Sequence, residues 1–261
     1  MLKLGVGLSL LGLPVRGQSG PLPLSTTGLE HVGMTVNDPE ATAKFYGRVF
    51  DPQLFKEREI PNRFYVRTGI SYLAFGITDP DEPQSIDHFC ALVRNYGANV
   101  RTAIADAGIP MGASPLSMPS DPDGIRLQLL NVPGGLAGSI IPGGRISQEE
   151  PAVEAVGIDH IMLAVTDLEA ADKFWGIFFG NATRQDGRLW YQVANTRLGL
   201  QRVTSGEEPR IHHIGFSVAG FDRSKASNEI SALGGRIVDS GPNDSLMFQD
   251  PNGFLIGLRS R

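Results

Sequence analysis

The chain has one cysteine, Cys90, in 261 residues. A single thiol excludes an internal disulfide and any cysteine-rich metal site. Basic residues are no surplus either: 23 Lys and Arg stand against 28 Asp and Glu, with no basic run. A nucleic-acid partner is therefore not expected. No apolar stretch is long enough to span a bilayer as a helix. A glycine-rich phosphate loop and a nucleophile elbow are also missing. Histidine is scarce, with five copies, and that scarcity makes their positions informative.

Four of the five histidines sit in one slot of a repeated nine-residue phrase. It reads GLEHVGMTV from Gly28, SIDHFCALV from Ser85, GIDHIMLAV from Gly157 and RIHHIGFSV from Arg210. Each copy has an aliphatic second residue, a histidine fourth and a valine ninth, which marks an internal repeat. The slot holds His31, His88, His160 and His213. Imidazole is the commonest metal ligand, so the repeat also points to a site.

A longer period encloses this one. Residues 28–47 align with 157–176 at an offset of 129, with identities that include His31/His160, Asp38/Asp167 and Phe45/Phe174. Asp121-Pro-Asp-Gly124 recurs as Asp250-Pro-Asn-Gly253 at the same offset. The chain thus reads as two domains, 27–131 and 156–261, joined by a Gly- and Pro-rich linker over 132–155. With 41% hydrophobic residues it can bury two ordinary cores. Residues 1–26 stand apart. Lys3 precedes the apolar run LGVGLSLLGL, with Pro14 and Gly17 after it. That pattern reads as a signal peptide cut near Gly17, placing the protein in the periplasm or outside the cell. The competing reading is an apolar tail on a cytoplasmic protein.

Each phrase opens an alternating strand and precedes a helical stretch. Asp38 is an N-cap candidate before PEATAKFYGRVF, and Gly108 a C-cap candidate after ANVRTAIADA. Short strand-like runs such as RFYVR and RLWYQV follow. The expected unit is strand, helix and about three strands, four times over, an α+β architecture. By strand parity Val32, Met34 and Val36 share one face while His31 faces the other way. His212 falls on the apolar-face parity, outside the slot, and reads as structural.

These residues resemble the vicinal oxygen chelate superfamily, which includes glyoxalase I, bleomycin-resistance proteins, methylmalonyl-CoA epimerase and extradiol dioxygenases. The strand with its histidine, then D-x-x-x-A-x-x-F-[YW], and D-P-[DN]-G before the last strand carry the likeness over nearly all the chain after residue 26. It implies four βαβββ units in two tandem domains, each domain a curved sheet cupped around a divalent metal, Fe, Mn, Ni or Zn. By the resemblance, His31 and His88 are ligands in the first domain, and the third position, four residues after Gly124, is Gln128. In the second domain the set is His160, His213 and, on the strand before the second histidine, Gln201. The position matching Gln128 is there Gly257, which cannot ligate, and the position matching Gln201 falls near Gly76. Both domains therefore depart from the family pattern, which places an acidic ligand there. Tyr72, Cys90, Arg126 and Arg197 have the parity to line the two pockets.

Two functions follow from the likeness. One is a metal-dependent enzyme, dioxygenase- or glyoxalase-like, acting on a small molecule with two neighbouring oxygens. The other is a metal-free protein that binds and sequesters a small molecule, as in the bleomycin-resistance branch. Gln128 and Gly257 favour the second; the four-unit layout favours the first. Either reading allows a homodimer.

Overall fold

The computed structural model describes residue 22 and residues 24–58, 63–114, 117–132, 134–238 and 242–261. Nearly all of the segment read as an export signal lies outside them. No helix among the described residues is long and apolar enough to cross a membrane.

The first unit runs β1 (Thr26–Val36), α1 (Pro39–Val49), β2 (Gln53–Glu57), β3 (Phe64–Thr68) and β4 (Ser71–Ile77). The second runs β5 (Ser85–Arg94), α2 (Ala98–Asp106) and β6 (Arg126–Val132). A 3-10 turn at Gly135–Gly138 and β7 (Ile140–Arg145) follow. The third holds β8 (Glu154–Val165), α3 (Leu168–Phe179), β9 (Thr183–Gln185), β10 (Arg188–Val193) and β11 (Thr196–Arg202). The fourth holds β12 (Arg210–Ala219), α4 (Arg223–Ala232), β13 (Arg236–Ile237), β14 (Ser245–Gln249) and β15 (Leu255–Ser260). Two open mixed sheets result, ordered β6-β5-β1-β4-β3-β2-β7 and β13-β14-β15-β12-β8-β11-β10-β9. This is the α+β tandem architecture expected from the repeat.

Two expectations change. The second unit has one strand after its helix among the described residues, not three. Pro110, Pro119 and Pro122 fall where the others would run, and proline cannot donate to a ladder. The stretch read as a linker, 132–155, is built into the first sheet. Its β7 pairs with β2, and Leu136 N–H donates to Glu30 at 2.8 Å.

Local chemistry sets the helix starts. The Asp38 carboxylate accepts from Ala41 N–H, and Asp167 accepts from Glu169 and Ala170 N–H. Behind α2, Gly108 takes φ 83°, the left-handed turn that glycine permits.

The core is continuous between the two domains because α1 and α3 cross-pack. Tyr46 of α1 stacks on Phe75 of its own sheet, while its neighbour Phe45 meets Phe248 of the other. Trp175 of α3 meets Phe89 of the first sheet. The lock is reciprocal. Tyr46 Oη donates to Asp250 at 3.0 Å, and Trp175 Nε1 donates to Asp121 at 3.2 Å. Both aromatics and both aspartates are related by the repeat offset. Each Asp also accepts from two backbone N–H groups of its own D-P-[DN]-G loop. Those two motifs are thus the two halves of an inter-domain contact.

Candidate functional site

A cavity of about 540 Å³ opens on the first sheet, lined by His31 and His88, with Gln128 and Arg126 beside them. Its floor is small: Gly33 pairs with Ala74, and Thr35 with Gly76. The space is needed, since a Cβ on Gly33 would lie 2.2 Å from the His88 ring.

The two imidazoles meet Nε2 to Nε2 at 3.4 Å. On its other side, His31 Nδ1–H donates to Glu30 at 3.0 Å and His88 Nδ1–H donates to Asp87 at 2.7 Å. Asp87 is in turn held by the Arg126 guanidinium. Strand alternation should send the residue before each histidine to the opposite face. A β-bulge prevents it. Leu29 pairs with Ala91 and His31 with Cys90, so Glu30 is the extra residue; Gly33 pairs with His88 and Met34 with Ile86, so Asp87 is the extra residue. A bulge re-aims a side chain, and here it brings a carboxylate to each ring.

This arrangement fixes what the site can accept. With both Nδ1 protons donated to carboxylates, both Nε2 atoms present lone pairs and cannot satisfy each other. Gln128 Oε1 is buried with no hydrogen-bond partner, and its side chain lies against both rings. Burial holds His31 below its usual value; burial and then the Arg63 charge hold His88 at about 4. The rings are neutral at physiological pH. Two imidazole nitrogens and an amide oxygen thus converge with no proton between them, a donor set that fits a divalent transition ion. Ligands at about 2.0–2.2 Å from one ion stand about 3 Å apart, close to the separation seen. Glu30 and Asp87 supply the negative charge that the neutral ligands lack.

The second sheet repeats the plan with different contents. His160 and His213 meet Nε2 to Nε2 at 3.0 Å, and His160 Nδ1–H donates to Asp159 at 2.6 Å. The bulges recur, with Asp159 and His212 as the extra residues. His212 was read as structural from parity; the bulge overturns that parity and sets its Nδ1 2.8 Å from His213 Nδ1. Protons alone complete this chain. His212 donates to His213, His213 to His160, and His160 to Asp159. Gly257 pairs with Gly215 and offers no ligand. Gln201 pairs with Ala164, the register that Gly76, which lines the first cavity, holds with Thr35. The floor is also filled. Gly33–Ala74–Tyr65 of the first sheet becomes Met162–Gly199–Trp190, and a Cβ on Gly199 would meet both Met162 and Trp190 within 3 Å. Burial and then His160 push His213 down to about 2.

The remaining sequence-derived pocket residues divide. Arg126 lines the first cavity. Tyr72 is level with His31 but packs edge-on against Phe55, outside the residues that line the cavity. Cys90 is fully buried beneath His31; Glu30, His31 and Cys90 bring ligating atoms within 4.8 Å of one another. Arg197 is engaged by Asp159 at 3.1 Å and lies over Trp190. Glu30, Asp87, Asp159 and His212 were missed as site residues. The signal was present: an acidic residue precedes the histidine in three of the four phrases.

Comparisons with known proteins agree with this architecture. A family model described as Glyoxalase-like domain matches residues 160–258. The chain is 25% identical over 187 residues to the protein named "Probable lactoylglutathione lyase, chloroplastic" of Arabidopsis thaliana. That match covers 63% of this chain and 48% of the relative, so the chain spans about half the relative's length. Among solved structures, homoprotocatechuate 2,3-dioxygenase from Brevibacterium fuscum, in complex with 3,4-dihydroxyphenylacetate, superposes with TM-score 0.65 at 18% identity. The superposition covers 93% of this chain and 82% of that one. A Mn(II)-bound glyoxalase from Novosphingobium aromaticivorans superposes with TM-score 0.62 at 18% identity, over 90% and 82% of the two chains. At these identities the likeness establishes a shared fold.

Proposed function

We propose that this chain, a tandem protein of the vicinal oxygen chelate fold, is a metal-dependent enzyme whose working site is the first cup. His31 and His88 are its ligands and Gln128 the third. The observation that carries the reading is the set of three facing lone-pair donors, His31 Nε2, His88 Nε2 and the orphaned Gln128 Oε1.

A divalent ion held there supplies Lewis acidity and a template for two neighbouring substrate oxygens. The chain does the rest. Glu30 and Asp87 hold both rings in the tautomer that turns Nε2 into the cup, and Leu136 N–H and Arg126 hold those carboxylates in turn. The small floor of Gly33, Ala74 and Gly76 leaves room for a substrate over the sheet. The substrate is a small molecule with vicinal oxygens; dioxygenase and glyoxalase chemistry are the two forms the fold supports.

Metal analysis of untagged protein tests this. The parent is expected to hold about one equivalent of Fe, Mn, Ni or Zn. His31→Ala/His88→Ala should lose it, and His160→Ala/His213→Ala should keep it. A parent that takes up no metal after anaerobic reconstitution would sink the reading and leave a metal-free small-molecule binder.

A further inference from the structure

The wall of the first cup that faces the histidines carries a second orphaned acceptor. Glu57, at the end of β2, lines the cavity with Arg63 and Tyr65. Its Oε1 accepts from Tyr65 Oη at 2.7 Å. Its Oε2 is buried and makes no hydrogen bond, and the Arg63 guanidinium forms an ion pair with it at 3.6 Å. The ion pair balances the charge of Glu57 and leaves the hydrogen-bonding capacity of this oxygen for a ligand. Tyr65 is itself buried at 2% exposure, so the carboxylate is held from behind and its free oxygen is not a surface group.

From this geometry we infer that Glu57 is a substrate-binding residue, and that the substrate carries a hydrogen-bond donor at the end remote from its vicinal oxygens. The inference rests on the functional reading above. β2 lies three strand spacings from β1, across β4 and β3, or about 14 Å along the sheet. A substrate that touches both walls spans the cup from the histidines to Glu57. Its remote end meets an acceptor in Glu57 and a donor in Arg63, and a neutral hydroxyl satisfies both. A methyl group in its place leaves the carboxylate oxygen unpaired.

The test uses full-length Mn(II)-loaded protein without oxygen. Calorimetry measures binding of 4-(2-hydroxyethyl)catechol and of 4-propylcatechol, which replaces the hydroxyl by methyl. The parent is expected to bind the hydroxyl compound about tenfold or more tighter, the usual scale for a hydrogen bond to a charged group. Glu57→Gln keeps the Tyr65 acceptor but turns the free oxygen into an NH2 donor. In that variant the preference should collapse, and 3,4-dihydroxyphenylacetate, whose arm only accepts, should bind tighter than it does to the parent. Equal affinities for the two neutral catechols in the parent, or a preference that survives Glu57→Gln and Glu57→Ala, overturns the role of Glu57. No binding of either catechol to the parent overturns it as well. Metal content of the His31→Ala/His88→Ala variant does not depend on Glu57, so the two readings fail separately.

Discussion

The two cups share a backbone plan and differ in how their hydrogen bonds close. In the first, a carboxylate takes the outer proton of each imidazole, and three acceptors are left facing inward. In the second, His212 replaces one carboxylate and donates instead, so the chain from His212 to Asp159 needs nothing further. Met162 and Trp190 crowd its floor at Gly199, where the first sheet has Gly33, covered by the His88 ring, and Tyr65. A histidine pair is therefore no measure of a metal site. The residue behind each ring decides whether the pair has lone pairs to offer.

The largest test of this contrast is to convert the second cup. Gly257→Glu with His212→Asp supplies a third ligand and restores a carboxylate behind His213. A Cβ on Gly257 meets nothing closer than 3.6 Å. The converted protein should bind a second equivalent of metal; one equivalent still, from a folded variant, would mean that Met162 and Trp190 rather than the proton chain close the cup. A smaller effect is expected from the first cup's supports. Glu30→Gln and Asp87→Asn leave the ligands in place but should weaken metal binding on the order of 10–100-fold, read by competition with a chelator. Asp159→Asn in the second cup should change metal content not at all.

The inter-domain lock gives a symmetric comparison. Tyr46→Phe and Trp175→Phe each remove one donor from a buried carboxylate, at a cost of about 1–3 kcal/mol. Thermal denaturation should show losses of about 2–4 °C per kcal/mol for a chain of this size. Trp175→Phe should lose more, because it also empties the indole's volume from a fully buried position; a Tyr46→Phe variant as stable as the parent would remove Tyr46 from the lock.

The smallest effect is on pH dependence of the metal-free protein. His88 titrates at about 4 when folded and near 6.5 when unfolded. Above 6.5 both states are neutral there. Below it the unfolded chain binds a proton that the folded chain refuses, so stability is lost as pH falls from 6.5 towards 4. Asp121, raised by burial to about 6 from 3.8, works in the opposite sense over 6 to 3.8. His88→Asn isolates the first contribution: its melting temperature should fall less than the parent's between pH 7 and 5. Parallel profiles would place His88 in solvent.

Much of this was legible in the sequence. The offset of 129 and the four phrases carry the tandem α+β architecture, and the family resemblance brings His31, His88 and Gln128 together. Arg126 also reaches the cavity. Parity failed one residue before each histidine, since a bulge adds a residue that no periodicity records, and His212 was misread for that reason. Tyr72 has the right parity and the wrong neighbours. Gln201 takes the register in the second sheet that Gly76 takes in the first.

The repeated phrases and the D-P-[DN]-G loops, by themselves, determined that the chain is a tandem repeat of α+β class; which histidines pair came from the family resemblance. Those are local patterns, written once per copy. The tertiary structure alone decided which cup has acceptors to spare. That depends on Leu136 folding back from a supposed linker onto Glu30, on Arg126 reaching Asp87, and on Glu57 standing three strands away with one oxygen that makes no hydrogen bond. Contacts of that kind join residues far apart in the chain, and only the packed sheets bring them within hydrogen-bond range.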